Sequence, residues 1–334
     1  MKAENMNIDF VITWVDPNDS EWLKEKQKCC GKGDQSDVRY RDWDFLKYWF
    51  RSVEKNAPWV NKIHFVTCGQ KPDWLKENNQ KINIVNHSDF MPNSILPTFN
   101  SVPIELYLHN IPNLSENFVY FNDDMFINSR VSKEFFFKNN KPCDSAILSA
   151  ITPMSNNDNF SHCLLSDAEL TCLDYRYRKA IRENLHKWFN VRYGLEQIRT
   201  ILLLPWSTLP GIKMHHMPIS YRRSTYIKLW DKHEGQLKAV SRDRFRNNFN
   251  INHWIFRYDQ LMSGDFCPRN PKCGKLYAIK TAEDAKMAAK DIERHKHKMI
   301  CINDASSNKE FDKSKKIIKS AFVKTYSNKS SFEK

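Results

Sequence analysis

Apolar positions fall in short, dense runs separated by turn-forming clusters. The first run, IDFVITWV (residues 8–15), is β-branched and aromatic and stops at Asp16-Pro17-Asn18-Asp19. It predicts a buried strand that presents Asp16 at its carboxyl end. A polar, glycine-containing stretch over 24–37 predicts a loop. In RYRDWDFLKYWFRSVEKNAPWV, residues Phe45, Leu46, Trp49, Phe50 and Val53 recur at helical spacing, so an amphipathic helix is expected, ending before Pro58. KIHFVTC (62–68) and INIVNH (82–87) predict two further strands, and a helix is expected to start within 104–108. FVYFNDDMFI (118–127) is a strand signal interrupted by Asn122, Asp123 and Asp124.

Beyond this point the pattern turns helical. Residues 176–190 and 195–204 predict helices, which makes 130–205 a partly helical insertion. MHHMPISYRRS (214–224) predicts a loop carrying His215, His216, Arg222 and Arg223. Helices are expected over 250–261 and 283–295, and KMICIND is an apolar run ending at Asn303-Asp304. Strands alternating with helices give an α/β class: a largely parallel sheet flanked by helices, with a helical insertion in the middle of the chain. Such sheets bind ligands at the carboxyl ends of their strands. Asp16 and the Asn122–Asp124 cluster are expected at such ends, so the acids break the strand because the strand delivers them to a site. A plain turn is the other reading these residue types allow.

Composition narrows the class. Hydrophobic residues at 41% and aromatics at 13% suffice for a large core. No apolar run approaches the ~18 residues of a membrane span, and the amino terminus has no apolar leader pattern, so a cytoplasmic protein is expected. The nine cysteines form neither a paired framework nor a zinc spacing. His295, His297 and Cys301 lack an evident fourth ligand. The net charge of +13 favours anionic partners. No helix-turn-helix, RNP-type or zinc-finger signature accompanies it, so nucleic acid is not expected.

The chemistry follows from residue types. Adjacent carboxylates at a strand end suit Mg²⁺ or Mn²⁺, whose shell a substrate's phosphates complete. Side chains alternate along a strand, so both Asp123 and Asp124 can reach one site only if the strand kinks. His215 and His216 beside Arg222 and Arg223 suit an anion site with a base. Arg257, inside the aromatic WIFRY, is either a core ion pair or a phosphate clamp.

Taken in order, IDFVITWVDPND, then RYRDWDFLKYWFRSVEKNAPWVNKIHFVT with LPTFNSVPIE and FVYFNDDMFI, then MHHMP, then HWIFRYDQL with MICIND resemble the four blocks of the Stealth family of sugar-1-phosphate transferases. The resemblance spans residues 8–305. It implies a GT-A-like fold, a UDP-sugar donor, a divalent cation, and transfer of hexose-1-phosphate, with N-acetylhexosamine expected, to a hydroxyl of a capsular or lipid-linked glycan, with release of UMP. The alternative is a metal-dependent glycosyltransferase that releases UDP. The matching positions are Asp16, Arg41, Asp42, Asp123, Asp124, His216, Arg257 and Asp304. On this reading Asp123, Asp124 and Asp304 supply metal ligands and His216 is the base. Arg257 and Arg41 neutralise phosphoryl charge, Asp16 assists at the donor or the metal, and Arg41, Asp42, Arg223 and Asn122 bind substrate. A catalytic domain of 1–305 is then followed by a basic tail, 306–334. Lysines alternating there with Ile317, Ile318, Phe322 and Val323 suggest either a solvated tail or an amphipathic helix on the inner face of an anionic membrane.

Overall fold

The computed structural model describes residues 6–30, 41–153 and 159–334. In chain order its elements begin with β1 (Ile8–Thr13), α1 (Ser20–Cys30), α2 (Leu46–Asn56), β2 (Ile63–Thr67), β3 (Ile82–Asn86), α3 (Ser101–Leu106), β4 (Asn117–Phe121) and β5 (Met125–Ile127). The middle holds α4 (Lys133–Phe136), β6 (Phe137–Lys138), β7 (Lys141–Asp144), α5 (Asn159–Asp174), α6 (Tyr177–Glu183), α7 (Leu185–Trp188) and α8 (Gln197–Leu203). Then follow β8 (Ile219–Arg222), α9 (Arg223–Ser241), α10 (Trp254–Met262), β9 (Cys267–Pro268), β10 (Gly274–Ile279), α11 (Ala282–Arg294), β11 (Met299–Asp304) and α12 (Asn308–Thr325).

The α/β expectation holds. A five-stranded sheet has the order β3-β2-β1-β4-β8, with β1 to β4 mutually parallel and β8 antiparallel at the edge. Its strands read as continuous apolar runs because both faces are covered. Ile8, Phe10 and Ile12 of β1, with Val119 and Phe121 of β4, face one apolar cluster; Val11, Phe118 and Tyr120 face the other. The interrupted strand is a crossing between sheets. β4 ends at Phe121, Asn122 O accepts from Met125 N (3.2 Å), and β5 then pairs antiparallel with β11 in a second sheet, β10-β11-β5.

Three expectations are corrected. The polar stretch read as a loop from 24 is helical to residue 30, and its remainder, 31–37, lies outside the described residues. Asp19 Oδ1 caps this helix through Trp22 N (2.8 Å), and Trp22 is its buried anchor, so the polar residues are simply its solvated side. The 214–224 loop ends at Pro218, because Ile219–Arg222 zip onto β4 as a strand too short to show a period. The basic tail is part of the core. Ile318 and Phe322 of α12 are fully buried, and Phe322 stacks on Tyr48 (centroids 5.4 Å) and meets Phe126 (4.8 Å). Arg51 Nη2 pairs with Glu333 Oε2 at 2.6 Å and fastens the end of the chain to α2. The lysines of α12 are the wet side of a packed helix, and the domain runs past residue 305 to the carboxyl terminus.

Candidate functional site

The carboxyl ends of β1 and β4 open onto a cleft of about 410 Å³. One wall is Thr13, Trp14 and Val15 as the chain leaves β1; the floor is Asn122, Asp123 and Asp124, where it leaves β4. Arg41, Asp42 and Trp43 precede α2, His216 comes from the loop before β8, and Asn303 and Asp304 end β11. The cleft therefore gathers Arg41, Asp42, Asn122, Asp123, Asp124, His216 and Asp304, seven positions singled out from the sequence.

Asp124 is the most constrained of these. Its backbone oxygen accepts from Ile302 N (2.8 Å), so β11 holds the turn in place. Its Oδ2 lies 3.5 Å from His216 Nε2 and accepts from Cys301 Sγ at 3.1 Å. Burial opposes charge on both partners. The attraction between them outweighs that penalty: the Asp124 carboxyl is held below its usual range and the His216 imidazole is raised above 6.5. Asp123 behaves oppositely. Enclosure by the cleft, and then the Asp124 and Asp42 carboxylates, push it up to about 7. Its side chain nonetheless remains reachable by solvent.

This crowding bears on whether a divalent cation fits. Three carboxylates repel one another here, and Asp124 Oδ1 is buried without a hydrogen-bond partner. Asp124, His216 and Cys301 can each bring one donor atom within 4.8 Å of the others. The oxygens of Asp123 and Asp124 suit a hard cation, which would relieve both the repulsion and the orphaned oxygen. Asp304 is differently employed. Its Oδ2 pairs with Arg41 Nε at 2.9 Å, and its Oδ1 accepts from Arg41 Nη2, Ser306 N and Ser306 Oγ. It anchors Arg41 at the cleft edge.

Three predicted positions are not brought into the cleft. Asp16 closes a turn, accepting from Asn18 N (2.9 Å), while its own N–H donates to Gln70 Oε1 (2.7 Å); its neighbours Val15 and Pro17 line the cleft instead. Arg223 follows β8 at the opposite end of the sheet, because Arg222 pairs with Asn117 at the start of β4; its Nε donates to His109 O (2.7 Å). Arg257 takes the core-ion-pair alternative. It is 1% exposed, donates from Nε to Asp144 Oδ2 (2.6 Å), and gives its other donors to Asp144 Oδ1, Lys213 O and Ser145 O. Four of its five N–H donors are thereby committed within the fold. His295 and His297 are likewise engaged, with Asn128 O and with Asp291 (2.5 Å) respectively.

The cleft also contains residues the sequence reading passed over. Glu105 of α3 lines it, buried, with Oε1 accepting from Tyr120 OH (3.2 Å), which in turn contacts Thr13 Oγ1 (3.1 Å). Arg246 stands in the cleft and is exposed; it donates to Ser101 Oγ (2.7 Å). Trp14, Trp43 and Phe99 give it apolar walls. Glu105 lies in the LPTFNSVPIE block, which was a usable signal; Arg246 sits among ordinary surface charges and had none.

Two family models match this chain: Stealth protein CR1, conserved region 1, over residues 6–34, and Stealth protein CR2, conserved region 2, over residues 39–144. The chain is 43% identical over 332 residues to the capsular polysaccharide phosphotransferase WcwK of Streptococcus pneumoniae, covering 98% of each. It is 41% identical to the exopolysaccharide phosphotransferase cps2G of Lactiplantibacillus plantarum, over 98% of this chain and 96% of that one. It is 39% identical to the receptor polysaccharide phosphotransferase WefC of Streptococcus oralis, over 89% and 90%.

Proposed function

The chain belongs to the Stealth family of phosphotransferases, and from that premise we propose that it transfers hexose-1-phosphate from a UDP-sugar to a hydroxyl of a growing capsular polysaccharide. The product is a phosphodiester and UMP leaves. The observation that carries the reading is the Asp124–His216 pair on the cleft floor, set among carboxylates at the sheet crossing. The fold is read as GT-A-like, with the donor at the ends of β1 and β4.

The acceptor oxygen attacks the phosphorus attached to the sugar, and the bond from that phosphorus to the UMP oxygen breaks. The sugar's own C1–O bond is untouched, so its anomeric configuration survives. Phosphoryl transfer depends on positioning and charge neutralisation. His216 Nε2 receives the acceptor's proton, and Asp124 stabilises the imidazolium that results. Asp123 and Asp124 would hold Mg²⁺ or Mn²⁺, which supplies charge neutralisation on the diphosphate when bound. Arg41, fixed by Asp304, and Arg246 present positive charge to the phosphoryl oxygens. Arg246 thus takes the role that the sequence reading gave Arg257. Asp42 and Asn122 contact donor hydroxyls, and the tryptophan walls enclose the base and the sugar.

The test is product analysis. Incubation with UDP-sugars and capsule oligosaccharides should yield UMP and a phosphodiester resonance in ³¹P NMR, and EDTA should stop both. UDP with no phosphodiester would assign the chain to glycosyl transfer instead.

A further inference from the structure

The insertion between β7 and β8 carries apolar side chains on its outer surface. Of the fifteen large apolar side chains exposed among the described residues, seven lie between Leu185 and Trp206. Val191 is 90% exposed, Leu195 79% and Leu202 66%. Leu195, Ile198 and Leu202 are spaced i, i+3, i+7 through the 3₁₀ turn and α8, so they share one stripe. The inward side of the same helix carries Thr200, fully buried with its Oγ1 accepting from Leu148 N (3.1 Å), and Leu203, which packs on the core. The helix thus has more large apolar side chains than its one inward side can cover, and the surplus faces outward. Patches of this kind mark interaction surfaces.

Charge identifies the occupant. Residues 176–206 contain seven Arg and Lys against two Glu. Arg182 and Arg192 are exposed, and among the described residues neither has a carboxylate partner. A second copy of the chain meeting this face about a two-fold axis would oppose like charges. Anionic phospholipid complements both features: acyl chains receive the leucines and isoleucines, headgroups receive the arginines, and Trp206 suits the boundary between them.

We propose that the face formed by residues 185–206 docks on an anionic phospholipid surface. This moves the membrane contact that the sequence suggested for α12, whose Ile318 and Phe322 are buried in the core, onto the insertion. The inference does not depend on the phosphotransfer reading.

The test is flotation of the full chain with vesicles of phosphatidylcholine alone or mixed with phosphatidylglycerol. The chain should float with the mixed vesicles. The triple variant I198S/L202S/W206S should bind at least about tenfold more weakly, with an unchanged circular dichroism spectrum. R182Q/R192Q should lose binding selectively on the anionic vesicles, and V323S on α12 should bind as the unmodified chain does. Three results would overturn the proposal: no flotation of the unmodified chain, equal binding by the triple variant, or a solution dimer that the triple variant dissolves, which would assign the face to a second copy.

Discussion

His216 Nε2 and Asp124 Oδ2 are 3.5 Å apart, and each shifts the other's proton equilibrium toward charge despite burial. The imidazole's folded value lies above 6.5. The pairing therefore contributes fully below 6.5 and is lost as pH rises through the folded value, where His216 becomes a competent base. In D124N burial, the largest influence, acts with Arg246 against the weaker pull of Glu105, and His216 should titrate below 6.5. An imidazole NMR titration of protein freed of divalent cations measures this; an unshifted His216 would remove Asp124 as the cause.

The two arginines of the cleft and the two outside it should separate kinetically. R246A should lower kcat/KM by about 10²-fold or more, as loss of a charge-stabilising donor does. R223A, at the far end of the sheet, should stay within about twofold of the unmodified rate with an unchanged melting temperature. Steady-state kinetics on both variants would show whether position in the cleft decides the outcome.

Arg257 should matter through folding. Removing it leaves Asp144 buried and unpaired, so R257M should cost about 3–5 kcal/mol. The double variant D144L/R257M should recover a large part of that loss. Urea midpoints of the three proteins measure it. A stable but inactive R257M would return Arg257 to the chemistry.

Asp9 offers a pH dependence away from the cleft. Fully buried, it accepts from Asn61 Nδ2, Lys62 N, Ser115 N and His64 Nε2. Burial opposes its charge, but these donors outweigh it and hold the carboxyl below 3.8. Its contribution is present above 3.8 and disappears as pH falls through the folded value. D9N should destabilise the protein by about 1–3 kcal/mol at neutral pH. Its stability should also fall less than that of the unmodified chain on acidification, which thermal melts at a series of pH values would show.

The carboxyl-terminal helix should be essential. F322A should cost about 3–5 kcal/mol, since the ring is fully buried between α2 and the second sheet. Removing residues 306–334 should leave the chain aggregated. A soluble, active truncation would contradict the packing described above.

The four parallel strands of the central sheet were legible because each is a dense apolar run ended by turn chemistry, while β8 is too short to show one; Asn122, Asp123, Asp124 and Asp304 were legible because strands deliver them. Other features were hidden for specific reasons. Arg257 and Arg246 are both arginines, and only the fold reveals that Asp144, 113 residues away, claims the first. α12 looked like a tail because its lysines outnumber the few buried contacts that hold it. Residues 195–204 show a helix in the sequence and nothing of the outward apolar stripe of α8, since periodicity does not tell which side is in.

The sheet crossing at Asn122–Asp124 has a consequence for how the enzyme is made. β5 has no partner until β11 is synthesised, about half the chain later, and Ile302 N is what secures the Asp124 backbone. A chain that carries every residue of the second conserved region, 39–144, but stops short of β11 still lacks the contact that fixes this turn. The turn that presents Asp124 is therefore completed only once residues 299–302 are in place.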